Sequence, residues 1–476
     1  AYKDRHSDRL YIDGTPDPRK FGGRSLILTV DEKIQAVAEQ QLRDGVKAAS
    51  ADHGFAIVMD VHNAEVLAMA TWPGGHPGDG KKPKWGFRNP VVQDQFEPGS
   101  TLKVITLAAA LEENAVWLHS QFKTGAGLRV GDKTIRDTHR REMVTAEEAI
   151  KFSSNVGFIK IGNLIGRDRL WTTLRNFGFG DSPGTEMPGE HGGLLRPPRQ
   201  WDPLTMANIS FGQGVAVTPL QLTTAVAAIG NQGVLMKPRI VMARLDADGR
   251  KIEEFPPTPV RRVVSAETAR EVIEALKSVV EPDGTGTNAW MYDYDVAGKT
   301  GTAQKPDTIA GGYSQDRWIA SFVGLVPANR PRLAILVAVD EPKGMYYGGH
   351  VAAPAFREIA EWSLNYLGVP PSYGPRERVR AEYVRKPGQL NPTAEGAHYD
   401  LPEGTRPGVE EPEYATVPDF SNMSLRQAIK FGHRHFVTVD VDGTGRAAGQ
   451  SLKKGTKVAP WTVVSVYFRP DGGDEL

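Results

Sequence analysis

Three short motifs hold residue types suited to nucleophilic chemistry: Ser100-x-x-Lys103, Ser153-x-Asn155 and Lys299-Thr300-Gly301. A serine hydroxyl is a poor nucleophile until a neighbouring base takes its proton. No histidine stands at useful spacing, so Lys103 is the natural base, and it must be neutral to act. Burial and the positive charge of Lys299 would both depress its pKa. Three residues apart on a helix, Ser100 and Lys103 share one face. At a helix start Ser100 sets its own backbone N–H beside a developing oxyanion, and an N–H from the Lys299–Thr302 strand would complete the hole. Each such donor is worth on the order of 3 kcal/mol. Ser153 can relay a proton between Lys103 and a leaving amine. Lys299, Thr300 and Thr302 offer charge and hydroxyls to a carboxylate.

Each motif also has decoys, and context selects among them. Ser-x-x-Lys recurs at Ser120/Lys123 and Ser451/Lys454, Lys-Thr-Gly at Lys123–Gly125, and Ser-x-Asn at Ser363/Asn365. Ser100 follows Pro98-Gly99 and opens the apolar run Thr101–Glu112, whereas Ser120 has no helix behind it. Lys299 follows Tyr294, Val296 and Ala297 on an expected strand, whereas Lys123 leads into Gly125-Ala-Gly127.

The elements that must hold these motifs read as follows. Asp31 caps an amphipathic helix to Lys47, with Ile34, Val37, Ala38, Leu42 and Val46 near one face. Gly54–Val61 and Glu65–Thr71 form a hairpin around His62-Asn63-Ala64, and a Gly/Pro/Lys loop runs from Pro73 to Pro90. Ser100 to about Ile165 is mainly helical, with a capping box at Thr145-Ala-Glu-Glu148; Leu220–Ala228 and Ala266–Val280 are helical too. Strands return at Tyr294–Ala303, Trp318–Val326 and Arg332–Asp340, and Ala355–Leu367 closes as a helix. The early strands must join the late ones in one sheet, giving an α/β domain with an all-helical subdomain inserted. Eight prolines between Pro370 and Pro412 mark a linker at 371–415. Residues 416–470 form a small module: a capping box at Ser424-Leu-Arg-Gln427, alternation at Val437, Val439 and Val441, a turn at Gly443-Thr-Gly445 and a strand Val463–Phe468.

Composition narrows the alternatives. Among 476 residues there is no cysteine, which removes disulfide scaffolds, cysteine-ligated metals and cysteine nucleophiles. His-Glu-x-x-His and Gly-x-Ser-x-Gly do not occur. Gly298-Lys299-Thr300 resembles the end of a phosphate-binding loop, but Asp293 stands where its first glycine belongs. Gly284-Thr-Gly286-Thr-Asn-Ala289 follows a helix rather than a strand, which argues against a dinucleotide site. No cofactor and no metal is therefore expected. Lys+Arg and Asp+Glu are equal at 57, which argues against nucleic acid as partner. The best apolar stretch, Val104–Leu111, is bounded by Lys103 and Glu112, too short to span a bilayer. A chain starting at Ala1 leaves an upstream membrane anchor open.

With these residues in view, the segment Arg88-Asn-Pro-Val-Val-Gln-Asp-Gln-Phe-Glu-Pro-Gly-Ser-Thr-Leu-Lys103 resembles the nucleophile segment of class B penicillin-binding proteins. Ser153-Ser-Asn-Val-Gly157 and Lys299-Thr-Gly-Thr-Ala303 resemble their second and third motifs. Ser210-Phe-Gly-Gln-Gly214, Thr218-Pro-Leu-Gln221, Tyr346-Tyr-Gly-Gly349 and Ala352-Ala-Pro354 match further, so the likeness covers about 26–370 and is greatest to the septal, cell-division member. It implies a penicilloyl-serine transferase fold: a five-stranded antiparallel sheet with flanking helices and the inserted helical subdomain. It also implies a D,D-transpeptidase that cross-links peptidoglycan stem peptides through a Ser100 acyl-enzyme and is acylated by β-lactams. Catalysis would fall to Ser100, Lys103, Ser153, Asn155 and Lys299, and substrate contacts to Ser154, Thr300, Gly301 and Thr302. The resemblance further implies a periplasmic site of action on the cytoplasmic membrane, with residues 1–25 the remnant of an N-terminal pedestal. A glycosyltransferase and other division proteins would bind through that N-terminal region. Residues 416–470 resemble a PASTA domain through Val417-Pro-Asp-Phe, Gly443-Thr-Gly445, Gln450 and Lys454-Gly-Thr456, but Leu452 stands where that family usually has proline. A carboxypeptidase or β-lactamase-type hydrolase, a sporulation-specific transpeptidase and a non-catalytic β-lactam sensor are the alternatives.

Overall fold

The early hairpin and the three late apolar runs form one sheet. Its strands are β1 (His53–Asp60), β2 (Val66–Trp72), β3 (Ala297–Pro306), β4 (Tyr313–Val326) and β5 (Leu333–Asp340). They pair antiparallel throughout in the order β3-β4-β5-β1-β2. Central β5 is buried along its whole length, which explains its unbroken Leu-Ala-Ile-Leu-Val-Ala-Val run: both faces of the sheet are covered. The computed structural model describes residues 2–3, 9–10, 25–74, 88–307 and 311–372, and those of 414–469 other than 424–427, 429–430, 433–434, 444–445 and 460–461. The Ser424 capping box, the tip of the Gly443–Gly445 turn and most of the pedestal remnant, of the 73–90 loop and of the linker lie outside the described residues.

Helix α1 (Glu32–Ala48) lies against β1 and β2 through buried Ile34, Ala38, Leu42 and Val46. The Asp31 carboxylate caps it, accepting from Lys33 N (3.0 Å) and Ile34 N (3.1 Å). Gly54 is needed where α1 crosses β1: a Cβ there would stand 2.7 Å from Val46 Cγ2. The closing helix α7 (Ala353–Tyr366) packs beside α1, with Phe356 against Phe322 of β4 at 4.6 Å between ring centres.

The inserted segment is built around α2 (Lys103–Glu112), in which every residue from Lys103 to Leu111 is buried. A helix apolar on all sides belongs at the centre of a domain, and this one is surrounded by α3 (Ala146–Lys151), α4 (Asn155–Ile165), α5 (Pro219–Gly230) and α6 (Ala266–Lys277). The capping box at Thr145/Glu148 is formed in both directions. The expectation of an all-helical insertion needs correction. Gln121–Lys123 pairs with Met143–Thr145, Leu128–Val130 with Lys133–Ile135, and Val234–Met236 with Pro259–Arg262. Val241–Leu245 lies between Ser25–Leu28 and Lys251–Glu254. Three- to five-residue strands give too few alternations to stand out against helical periodicity.

Residues 414–469 build a separate core. β6 (Val437–Gly443) runs parallel to β8 (Thr462–Arg469), and β7 (Arg446–Gln450) runs antiparallel on its other side. Val417, Phe420, Val437, Val439, Val464, Val466 and Phe468 are buried between them, and Leu452 packs on this cluster. Gln450 ties the module's entry: its amide donates to Pro418 O (3.0 Å) and its Oε1 accepts from Phe420 N (3.0 Å).

In the larger unit, Gln221 has a comparable role. Its backbone N–H completes a capping box with Thr218, and its buried amide donates to the carbonyls of Gly178 (3.2 Å), Asp181 (2.8 Å) and Gly192 (2.8 Å). Replacing it with leucine removes the donor from three part-buried carbonyls, at about 1 kcal/mol each. Gln221→Leu is expected to lose about 2–4 kcal/mol of stability, read as an earlier midpoint in urea unfolding.

Candidate active site

Ser100 does not sit on the first turn of an α-helix. It sits in a 3-10 turn, Gly99–Leu102, that runs into α2. In a 3-10 turn residues i and i+3 eclipse, so this geometry stacks Lys103 over Ser100 more directly than an α-turn would. The turn starts at Gly99 with φ +52°, a conformation glycine adopts freely. Gly99 N–H donates to Gly212 O (3.0 Å), and Gly212, at φ +95°, comes so close that a Cβ would lie 1.9 Å from Gly99 O. The Ser210–Gly214 segment is therefore a backbone support for the turn that carries Ser100.

Four of the expected residues meet in one hydrogen-bonded chain. Lys103 Nζ donates to Ser153 O (2.7 Å), Ser153 Oγ (3.2 Å) and Asn155 Oδ1 (2.7 Å), and Ser153 Oγ lies 2.9 Å from Ser100 Oγ. A hydroxyl both donates and accepts, so a proton can pass along this chain in either direction. Ser153 holds φ +59°, strained for a side chain with a Cβ and costing about 1–3 kcal/mol. That strain turns both its carbonyl and its hydroxyl toward Lys103. Burial holds the Lys103 ammonium well below its usual pKa, the Lys299 charge lowers it further, and Asp137 offsets part of the shift. Lys103 is thus equipped to be a base.

The third motif arrives on edge strand β3, which packs against the 3-10 turn. Gly301 allows the contact: a Cβ would meet Thr101 Cγ2 at 2.9 Å and Ser321 Oγ at 2.2 Å. Lys299 is fully buried, and burial alone lowers its pKa to about 7. Its Nζ donates to Thr300 O and Thr300 Oγ1, both at 3.1 Å. Thr300 is buried and its hydroxyl donates to Thr285 Oγ1 (3.0 Å). Thr302 is half-buried and accepts from Gly348 N–H (3.2 Å). Gly348 and Gly349 let that loop close on β3, since a Cβ on Gly348 would meet Gly301 O at 2.3 Å.

Ser154, expected to contact substrate, has its hydroxyl engaged inside the fold. Its hydroxyl is buried as the N-cap of α4, accepting from Gly157 N (2.9 Å) and donating to Asp137 Oδ2 (2.5 Å). Asp137 is the residue that motif reasoning missed. Its other oxygen accepts from Val156 N (2.9 Å), so one carboxylate fixes the turn holding Ser153 and Asn155. It lies in the loop after Lys133–Ile135, with no spacing signal; only its folded position reveals it.

A serine, a buried lysine and a bridging hydroxyl, set against the edge strand of an antiparallel sheet, are the parts that serine acyl transfer without histidine needs. The chain belongs to the penicillin-binding protein transpeptidase family: residues 54–361 match the Penicillin binding protein transpeptidase domain, and residues 415–470 match the PASTA domain. Stage V sporulation protein D of Bacillus subtilis is 35% identical over 95% of this chain and 66% of its own length. Penicillin-binding protein PbpB of Mycobacterium tuberculosis is 36% identical over 78% of this chain and 57% of its own. The chain thus spans about two thirds of the length of these relatives or less. Among solved structures, penicillin binding protein 3 of Mycobacterium tuberculosis complexed with aztreonam superposes with a TM-score of 0.68 at 35% identity, covering 74% of this chain and 81% of that one.

The buried lysine has a consequence for stability. With its folded pKa depressed to about 7, Lys299 binds fewer protons in the folded than in the unfolded chain between that value and its ordinary 10.5. Its contribution to stability therefore rises with pH across this window, and its burial cost is greatest below pH 7. Lys299→Met is expected to raise the melting temperature more at pH 6 than at pH 10. Equal shifts at both pH values in calorimetry would contradict the depressed pKa.

Proposed function

We propose that this chain is the catalytic part of a serine D,D-transpeptidase that cross-links peptidoglycan stem peptides outside the cytoplasmic membrane. The observation that carries the reading is the chain Ser100 Oγ–Ser153 Oγ–Lys103 Nζ, ending on a lysine whose charge burial opposes. Ser100 attacks the carbonyl of the penultimate D-Ala, and its proton passes to Lys103, directly or through Ser153. The oxyanion is stabilised by Ser100 N–H and an N–H of β3 near Thr302. Collapse breaks the C–N bond, and the leaving D-Ala amine takes the proton back. An amine of a second stem peptide then attacks the acyl-enzyme and restores Ser100. Lys299, Thr300, Gly301 and Thr302 form the side of the site that takes the donor's terminal carboxylate, and Asn155 orients Lys103.

β-Lactams, acylating the same serine, are the inhibitors this site would accept, in keeping with the aztreonam complex of the tuberculosis protein. A septal role is the reading we favour, with a glycosyltransferase and other division proteins as partners through the N-terminal region. A sporulation role is the second reading, because the relative matched over 95% of the chain is named a sporulation protein. Depletion in the host decides between them: filaments that fail to divide support the first, normal division with defective spores the second.

Labelled penicillin followed by mass spectrometry tests the chemistry. A stable adduct on Ser100 is expected, absent in Ser100→Ala, and slowed by about a hundredfold or more in folded Lys103→Ala. Acyl turnover within seconds would instead indicate a hydrolase. D-Ala release with transfer to an acceptor amine would separate an enzyme from a sensor. Because 416–470 has its own core, deleting 416–476 is expected to leave Ser100 reactive. A folded truncation that no longer labels would show the module is required.

A further inference from the structure

We propose that Lys305 is a positioning residue for acylation: by bridging to Asp340 and Glu341 it holds the outer end of β3, and with it Lys299–Thr302, against the nucleophile. The inference rests on the transpeptidase reading. Among the described residues β3 is an edge strand, with β4 as its sheet neighbour. The β3–β4 ladder runs in register from Ala297↔Leu325 to Gln304↔Trp318 and then breaks, so that Pro306 stands opposite Tyr313. Proline brings no N–H to the ladder. Backbone pairing is therefore interrupted between Gln304 and Pro306, just beyond Lys299–Thr302, before it resumes with Asp307 N–H donating to Gly312 O (2.9 Å).

Lys305 lies at that interruption. Its Nζ donates to Asp340 Oδ2 (2.9 Å) and Glu341 Oε1 (2.8 Å). Asp340 ends β5 and lies opposite Ile319 of β4, so the lysine reaches across an entire strand to tie β3 to the centre of the sheet. His53 of β1 stands beside the same carboxylate, with Nε2 3.4 Å from Asp340 Oδ2. The side chains of Asp340 and Glu341 are 7% and 18% exposed and that of Lys305 is 26%, so solvent and salt screen the bridge less than an exposed pair. Glu341 holds φ +54°, a conformation that glycine would take without strain, and its N–H donates to Trp318 O (2.8 Å). The strained residue supplies one of the two carboxylates.

The bridge is two residues from the nucleophile's support. Ala303 is what Gly99 packs on, so close that a Cβ on Gly99 would lie 3.0 Å from Ala303 Cβ. Gly301 rests on Thr101 and Pro98. Loosening the end of β3 shifts Ala303 and Thr302 relative to Ser100, and small misplacements of a catalytic constellation cost rate steeply.

Acylation by a fluorescent penicillin, measured at saturating concentration and expressed per titratable Ser100, tests this. Lys305→Met is expected to slow that rate about tenfold, and Lys305→Arg to restore it to within about threefold. An unchanged rate per site in Lys305→Met, with only the number of active sites reduced, would mean a merely structural lysine and overturn the inference. Failure of Lys305→Arg to restore the rate would overturn it as well. Should Lys305→Met not fold, Glu341→Gln keeps the Asp340 bridge: a smaller loss of rate per site supports the proposal, and a wild-type rate overturns it. If the wild-type protein does not label at Ser100, the transpeptidase reading itself fails, a different result from a labelled wild type with an equally fast variant.

Discussion

Burying a lysine amine in the central helix is the constraint on which this structure turns. A charged ammonium cannot be placed at 0% exposure without strong compensation, and here the compensation is incomplete: three neutral acceptors and one nearby carboxylate, Asp137. That shortfall favours the neutral amine at Lys103. The surrounding arrangement follows from it. Because α2 is apolar on all sides, helices must enclose it, and because its first turn must open onto substrate, a sheet edge must come up to that turn rather than a sheet face.

Precision at the site comes from backbone as much as from side chains. Gly99 and Gly301, with Gly212 and Gly348 behind them, let segments approach where a Cβ would meet an atom at 3.0 Å or less. Ser153 accepts a left-handed conformation at the point where a carbonyl and a hydroxyl must both face one amine. Asp137 stabilises that turn from the far side by binding Ser154 and Val156. Strain at the relay is thus balanced by a carboxylate that never touches the nucleophile.

The sheet, its pairing of early with late strands and the meeting of Ser100, Lys103, Ser153 and Asn155 were legible in the sequence because they rest on strong signals. Apolar runs such as Ile335–Val339 have few alternatives, and a serine three residues before a lysine at the head of an apolar helix is rare. What escaped has physical reasons. The Leu128–Val130 and Lys133–Ile135 hairpin is exposed to half-buried and only three residues a side, so its strands carry no core pattern. Ser153 and Asn155 point to the amine while Ser154 points to Asp137; adjacency in a turn does not imply a shared direction. Asp137 and Lys305 act across gaps in sequence, 17 residues to Ser154 and 35 to Asp340, that no local periodicity encodes.

Two buried lysines in one site also set an order of events. Lys299, lowered to about 7 by burial, is also counted among the causes that depress Lys103, so charge on one amine opposes charge on the other. A carboxylate brought against Lys299 favours its charged form, and a charged Lys299 disfavours charge on Lys103. Under the transpeptidase reading, binding of the donor's terminal carboxylate therefore pushes Lys103 toward the neutral state that Ser100 needs. Substrate recognition and base activation become one electrostatic event. A ligand lacking the carboxylate would lose more than an ion pair, since the charge on Lys299 that adds to burial in keeping Lys103 neutral would be weakened.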